Sequence, residues 1–335
     1  MKGAQVILGR LGARKAAALM RDGRLDDLLV DPAGDVPGPG AIFRAVCDRP
    51  VKGQGGMFLR LGDGRTGFFR GAKGLAPGQV ITVQATGVAE TGKAIPVADR
   101  ILFKSRYCIV TPGAPGLNVA RSIRDEAERD RLELLAHDVL PEARHGMGAI
   151  LRSACAGAPA AAVVDDLTAT WALASQVMGD AGDGPELLVD APDAHELAWR
   201  EWADVADVSE AWDAVADQVD ALSDPIVPLG QVSLSVEPTR ALVAVDVNTA
   251  DASPAGGLKA NIAAARELPR QLRLRGLSGQ IVVDCAPMPK KDRRTFESAL
   301  RAALRADPVE TSLIGWTPLG HYELTRRRER PPLMP

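Results

Sequence analysis

The stretch "LVAVDVNTA", Leu242 to Ala250, reads as protein interior until it reaches Asp246. Leu242 to Val245 are apolar and rich in β-branched residues, as a buried strand would be. Asp246 then ends the run, and Asn248 and Thr249 follow. The construction recurs 38 residues on, in "GQIVVDCAPM", where the β-rich run Ile281 to Val283 ends in Asp284. Between them, "LKANIAAARELPRQLRLRG" (258–276) has a helical pattern in which Pro269 predicts a kink or a break. Strand, helix and strand in that order predict parallel neighbours whose C-terminal ends meet. Open α/β sheets place ligands at that edge. Two carboxylates meeting there repel unless a cation neutralises them. Oxygen-only ligation favours a hard ion, magnesium or manganese. The competing reading is that each aspartate caps a following helix or turn.

A chain of 335 residues accommodates two or three domains, each with its own core. An apolar content of 46% with 25% charged residues suits a folded soluble protein. No apolar run approaches about 18 residues, so no membrane helix is expected. The N-terminal segment is interrupted by Gly9, Arg10, Arg14 and Lys15 and lacks a signal-peptide core. Cys47, Cys108, Cys155 and Cys285 are far apart and form no CxxC pair, so neither a disulfide framework nor a structural zinc site is expected. A cytoplasmic protein with reduced thiols fits. His137, His145, His195 and His321 are too scattered to suggest a zinc site. Net charge is −3, but it is unevenly spread. Residues 190–224 hold eleven acidic residues against Arg200 alone, and residues 259–335 hold fifteen basic against eight acidic. The basic portion contains Asp284, so a polyanion near the paired aspartates would find positive charge. Internal pairing with the acidic segment is the alternative.

Residues 1–36 predict a β–turn–β element around Asp22-Gly23, and "PAGDVPGPG" then marks a boundary. From 40 to 104, five short strand candidates separated by glycine turns match the requirement of a small OB-type barrel. Phe58 and Phe68 flank the Asp63-Gly64 turn, with Arg60, Arg65 and Arg70 interleaved. Exposed aromatics would stack bases and arginines would meet phosphate. Buried, the same rings would fill the barrel core. Residues 122–140 predict a helix capped by Ser122, and residues 160–180 a second. A strand at 185–189 precedes a helix at 192–203. Trp171, Trp199, Trp202 and Trp212 have helical surroundings and read as packing residues. Phe296, Leu300 and Leu304 mark the apolar face of a further helix.

Three longer motifs carry a family resemblance: "ALVAVDVNTA" (241–250), "ARELPRQLRLRGLSGQIVVD" (265–284) and "GHYELTRRRERPPL" (320–333). In content, order and spacing the chain resembles the catalytic half of the bacterial ribonuclease E/G family over nearly its whole length. The resemblance implies an α/β protein. An RNase H-like subdomain (1–36 and 185–232) would be interrupted by an OB-fold RNA-binding domain (37–118) and a shortened 5′-sensor region (119–184). A DNase I-like catalytic subdomain (233–335) would follow. The implied activity is magnesium-dependent endonucleolytic hydrolysis of single-stranded RNA, leaving 5′-phosphate and 3′-hydroxyl ends. Asp246 and Asp284 would bind the metal, and Asn248 would position the scissile phosphate. Phe58, Phe68 and Lys93 would bind RNA. Arg152 and Ser153 would sense a 5′-monophosphate, Ser153 keeping the hydroxyl of the family's threonine.

Three departures from the family pattern accompany these matches. A second sensor arginine falls near Glu310, and Pro269 stands mid-helix. The sequence stops at "RPPLMP", where the family's zinc-binding cysteine motif would begin. No structural zinc and no zinc-linked dimer are therefore expected; a homo-oligomer through another surface stays compatible with the sequence. Two other functions fit the residues: a non-catalytic single-stranded RNA-binding protein, and a DNA nuclease.

Overall fold

In the computed structural model, residues 3–334 are described apart from 52, 54, 72, 91, 141–145 and 252. The chain forms two compact units, Val36–Ala206 and the combination of Met1–Asp35 with Asp207–Pro335. His145 lies outside the described residues.

The second unit begins with β1 (Ala4–Leu11), β2 (Arg14–Arg21) and β3 (Arg24–Val30), an antiparallel meander. Asp22 and Gly23 both adopt positive φ, 50° and 79°, as a type I′ hairpin turn requires. The expected β–turn–β element is thus one strand longer, because Gly12 supports a second tight turn.

In the Val36–Ala206 unit, β4 (Ile42–Val51), β5 (Gly56–Gly62), β6 (Arg65–Arg70), β7 (Val80–Ala85) and β8 (Ile95–Ala98) follow. They lie in the order β4-β5-β6-β8-β7, and pairing of β4 with β7 closes the barrel. This is the OB-type arrangement. Phe43, Met57, Leu59, Leu61, Phe69 and Val83 fill it. Next come β9 (Phe103–Lys104), β10 (Cys108–Pro112), β11 (Gly116–Val119), α1 (Glu126–Val139), β12 (Met147–Leu151) and α2 (Ala160–Met178). Their strands form a sheet in the order β11-β12-β10-β9, and its core includes Leu132, Leu151, Val163 and Leu167. Asp125, not Ser122, caps α1: its Oδ1 accepts from the Glu128 amide at 2.8 Å. Ser122 sits in a turn three residues too early to reach that amide.

The unit ends with β13 (Glu186–Val189), which pairs with β4, and α3 (Ala194–Glu201), capped by Asp193 with Glu196 closing a capping box. Trp171 is half-buried and Trp202 buried, as packing residues are. Trp199 is a correction to that expectation, being 62% exposed. Ala194 and Ala198 occupy the buried side of α3, and the Arg106 guanidinium stacks 3.7 Å from the Trp199 ring centre.

The chain returns to its first sheet through β14 (Val208–Ser209), parallel to β1, and α4 (Asp213–Asp220). Then follow β15 (Ile226–Leu229), β16 (Val232–Pro238), β17 (Val243–Thr249), α5 (Pro254–Leu274), β18 (Gly279–Asp284), α6 (Arg293–Arg305), β19 (Thr311–Trp316) and β20 (Tyr322–Arg326). The sheet order is β15-β16-β17-β18-β20-β19. β17 and β18 run parallel, with α5 as the crossover between them, and their outer neighbours are antiparallel. α5 neither breaks nor ends at Pro269. The missing proline N–H costs one helical bond, and Ala264, Ala265, Leu268 and Leu272 hold the helix in the core.

Two sequence expectations are corrected in this sheet. β17 does not end at Asp246 but continues to Thr249. Val243, Val245 and Val247 are buried, while Ala244, Asp246 and Asn248 alternate with them on the open face. The basic C-terminal motif is in part internal. Arg326 and Asp307 are ion-paired at 2.8 Å with side chains 1% exposed. Arg273 joins Asp307 and Asp27, and Arg330 also binds Asp27. Among the described residues, no helix is long and apolar enough to cross a membrane.

Candidate active site

The two aspartates stand side by side. In the parallel ladder Val243 registers with Ile281, Val245 with Val283, and Asp246 with Asp284. Adjacent strands lie about 4.8 Å apart, and residues in register on one face project together. Both residues are on the exposed face, the Asp284 side chain at 64%. Asp284 ends its strand, as its sequence suggests, whereas Asp246 lies within one. The site is therefore on the open face of the sheet rather than at a shared strand edge.

Like charges directly opposite one another are destabilising. Among the described residues, no lysine or arginine is ion-paired with either carboxylate, and both neighbours are side chains that can donate without carrying charge. Asn248 donates from Nδ2 to Asp246 Oδ2 at 2.6 Å. His321 Nδ1 lies 3.3 Å from Asp284 Oδ1. Glu237, Ala244, Asp246, Val282, Asp284 and His321 line an open cleft of about 310 Å³. On β16, Ser235 registers with Asp246 and Ser233 with Asn248, which extends the polar surface. Among the described residues, no group of three or more His, Cys, Asp or Glu side chains is arranged to hold a metal. The donor set is a carboxylate pair. That leaves most coordination positions to water or phosphate oxygens, the usual mode for Mg²⁺. The paired, uncompensated carboxylates fit a divalent cation.

His321 and Glu237 escape the sequence reading. Their signal lies in strand pairing: Val283 registers with Tyr322, so His321 arrives beside Asp284 from 37 positions away.

In the barrel, Phe58 on β5 registers with Phe68 on β6. Their ring centres are 5.6 Å apart, and both rings are half-buried. They face outward because Met57, Leu59 and Phe69 take the inward positions of the same strands. Arg49 lies 5.1 Å from the Phe58 ring centre. A Cβ at Gly56 would run into the Phe68 ring, so the glycine lets the ring lie where it does. Lys93, its side chain 65% exposed, pairs with Glu90 at 2.7 Å. It precedes β8, whose Pro96 registers with Phe68.

Arg152 and Ser153 meet at the end of β12. Ser153 is exposed and opens a short 3₁₀ turn. Arg152 donates to the carbonyls of Ser105 at 2.6 Å and Arg200 at 3.3 Å, and to Glu201 Oε2 at 2.7 Å. Burial pushes the Glu201 carboxyl up, but Arg200 and Arg152 outweigh it and hold the group below its usual range. A phosphate approaching Arg152 would compete with this carboxylate.

Comparison with known proteins brings these features together. The family model described as "Ribonuclease E/G family" matches residues 103–212 and 207–329. Ribonuclease E of a Nostoc species is 28% identical over 87% of this chain and 51% of its own length. Ribonuclease G of Salmonella typhimurium is 28% identical over 76% of this chain and 60% of its own. Ribonuclease E of Escherichia coli K12 is 27% identical over 77% of this chain and 29% of its own. The chain thus spans between about a third and three-fifths of the relatives it matches. With a matched region that includes both strand-borne aspartates, the chain belongs to the ribonuclease E/G family.

Proposed function

We propose that this chain is a metal-dependent endoribonuclease. It would hydrolyse phosphodiester bonds in single-stranded RNA to 5′-phosphate and 3′-hydroxyl ends, in RNA processing or decay in the cytoplasm. One observation carries the reading: Asp246 and Asp284 stand in register on an open sheet face, and among the described residues no lysine or arginine is ion-paired with either. Relatives named ribonuclease E and ribonuclease G support RNA as the substrate.

Asp246 and Asp284 would hold one Mg²⁺, with Mn²⁺ as a substitute. When bound, the cation supplies a polarised water and neutralises charge on the phosphate. Asn248 uses one amide N–H to fix Asp246 and has a second for the scissile phosphate. The Phe58–Phe68 pair offers ring faces to unstacked bases, and Lys93 offers charge to the backbone. Arg152 and Ser153 would meet a 5′-phosphate that displaces Glu201. The test is incubation of purified protein with single-stranded RNA and with DNA of the same sequence, in magnesium and in chelator. Cleavage of RNA in magnesium alone is expected. Binding of RNA without cleavage would favour the non-catalytic alternative, and equal cutting of DNA the DNA-nuclease alternative.

The barrel makes a separate prediction. Phe58→Ala or Phe68→Ala should weaken binding of a single-stranded RNA oligonucleotide by about 1–3 kcal/mol, the range for one lost base stack. Fluorescence anisotropy measures it. Unchanged affinity in both variants would remove these rings from the RNA-binding surface.

A further inference from the structure

We propose that His321 is a positioning residue of the active site, holding Asp284 as Asn248 holds Asp246, so that each carboxylate keeps one oxygen free for the cation. The inference rests on the metal-centre reading above.

The placement of His321 is fixed by its backbone. The Thr317 amide donates to the His321 carbonyl at 2.8 Å, and the His321 amide donates to Thr317 Oγ1 at 3.1 Å. Together they close the turn that leads into β20. Tyr322, the next residue, is buried against Phe296 and Trp316 on the opposite face. The pleat of the strand therefore directs His321 to the face that carries Asp284.

Its ring nitrogen is the second observation. His321 Nδ1 is buried and lacks a hydrogen-bond partner among the described residues. Buried polar atoms are normally bonded. Asp284 Oδ1 is 3.3 Å away, near enough to accept but not aligned to do so. A small rotation of the carboxylate aligns it. The imidazole then donates from Nδ1–H to Oδ1 and leaves Oδ2 facing the cleft. On the neighbouring strand the same relation exists already, with Asn248 on Asp246 Oδ2 and Oδ1 left over. Both donors stand on the open face, and both work while uncharged. Two donors that need no charge to donate can orient a carboxylate pair without neutralising it, which preserves its charge for a cation. Partners of this kind set metal affinity through ligand orientation.

The test uses Mn²⁺ as the probe, because its electron paramagnetic resonance signal reports free and bound ion directly. Titrations would compare the wild-type chain with His321→Ala, His321→Asn, Asp246→Asn and Asp284→Asn. His321→Ala should weaken Mn²⁺ binding by about tenfold or more, the lower end of the range for lost outer partners. His321→Asn should return affinity to within about threefold of wild type, since its Nδ2 can replace the imidazole Nδ1 as donor. The imidazole is 35% exposed, so metal-free thermal midpoints should stay close to one another. Wild-type affinity in His321→Ala, with binding lost in Asp284→Asn, would overturn the proposal and leave the metal centre standing. His321→Asn as weak as His321→Ala would overturn the donor role. Wild-type binding unaffected by either aspartate variant would overturn the metal-centre reading and this inference with it.

Discussion

Asp284→Asn should lower single-turnover cleavage of single-stranded RNA by at least about 100-fold, since loss of outer-shell partners alone costs 10–100-fold. The substitution keeps the size of the side chain and removes the negative charge proposed to hold the cation, at the point where two strands bring carboxylates into register. RNA affinity should change little. The barrel and basic residues such as Lys290, Arg293 and Arg294 would supply the grip, and it should weaken with salt. A second effect runs the other way: removing one of two adjacent negative charges eases the approach of phosphate to metal-free protein. Binding measured without metal, followed by cleavage at saturating magnesium, separates the two. Near-normal cleavage by a folded Asp284→Asn protein would show that this carboxylate is not a required ligand.

Asp307→Ala should destabilise its unit by about 3–5 kcal/mol, the range for removing one partner of a buried ion pair. Asp307 accepts from Arg326, binds Arg273, and receives the Val309 amide at 2.9 Å. The variant leaves Arg326 buried with its counter-charge gone. Urea unfolding at neutral pH measures the loss; a value under about 1 kcal/mol would show that the network is dispensable. Acid should act on the same network through Asp27. Burial pushes this carboxyl up, but Arg330 and Arg273 more than offset it, so its pKa lies below the ordinary 3.8. A carboxyl lowered on folding contributes stability that is complete above the unfolded value and fades as pH falls through the folded one. Stability from Asp27 should therefore hold above pH 3.8 and decline beneath it.

Local signals made much of this architecture legible. Asp22-Gly23 and Asp63-Gly64 announced turns that the positive φ values of all four residues bear out. The strand–helix–strand pattern around Asp246 and Asp284 gave the parallel pair, and Phe296 and Leu300 marked the buried face of α6. Even the true length of β17 was written in the alternation of Val243, Val245 and Val247 with Ala244, Asp246 and Asn248. An aspartate in mid-sequence simply resembles a strand end when an apolar run precedes it. Features fixed by distant partners were not legible. Arg326 looks like part of a basic tail until β20 and Asp307 enclose it. Trp199 looks like core until two alanines take the inner side of its helix. His321 gains significance only when antiparallel pairing of β18 with β20 carries it to Asp284.

Mapping the ends of the RNA fragments tests the central claim most directly, because water and the RNA 2′-hydroxyl leave different products. On the proposed reading, Asp246 and Asp284 would hold a cation that directs water and lets the 3′-oxygen leave, which would give 5′-phosphate and 3′-hydroxyl ends. Attack by the 2′-hydroxyl needs no metal and yields a 2′,3′-cyclic phosphate with a 5′-hydroxyl. The expected result is 5′-phosphate and 3′-hydroxyl ends from the wild-type protein in magnesium, and intact RNA with chelator or with both aspartates changed to asparagine. Cyclic-phosphate ends, or cutting that persists in chelator and in the double variant, would contradict it.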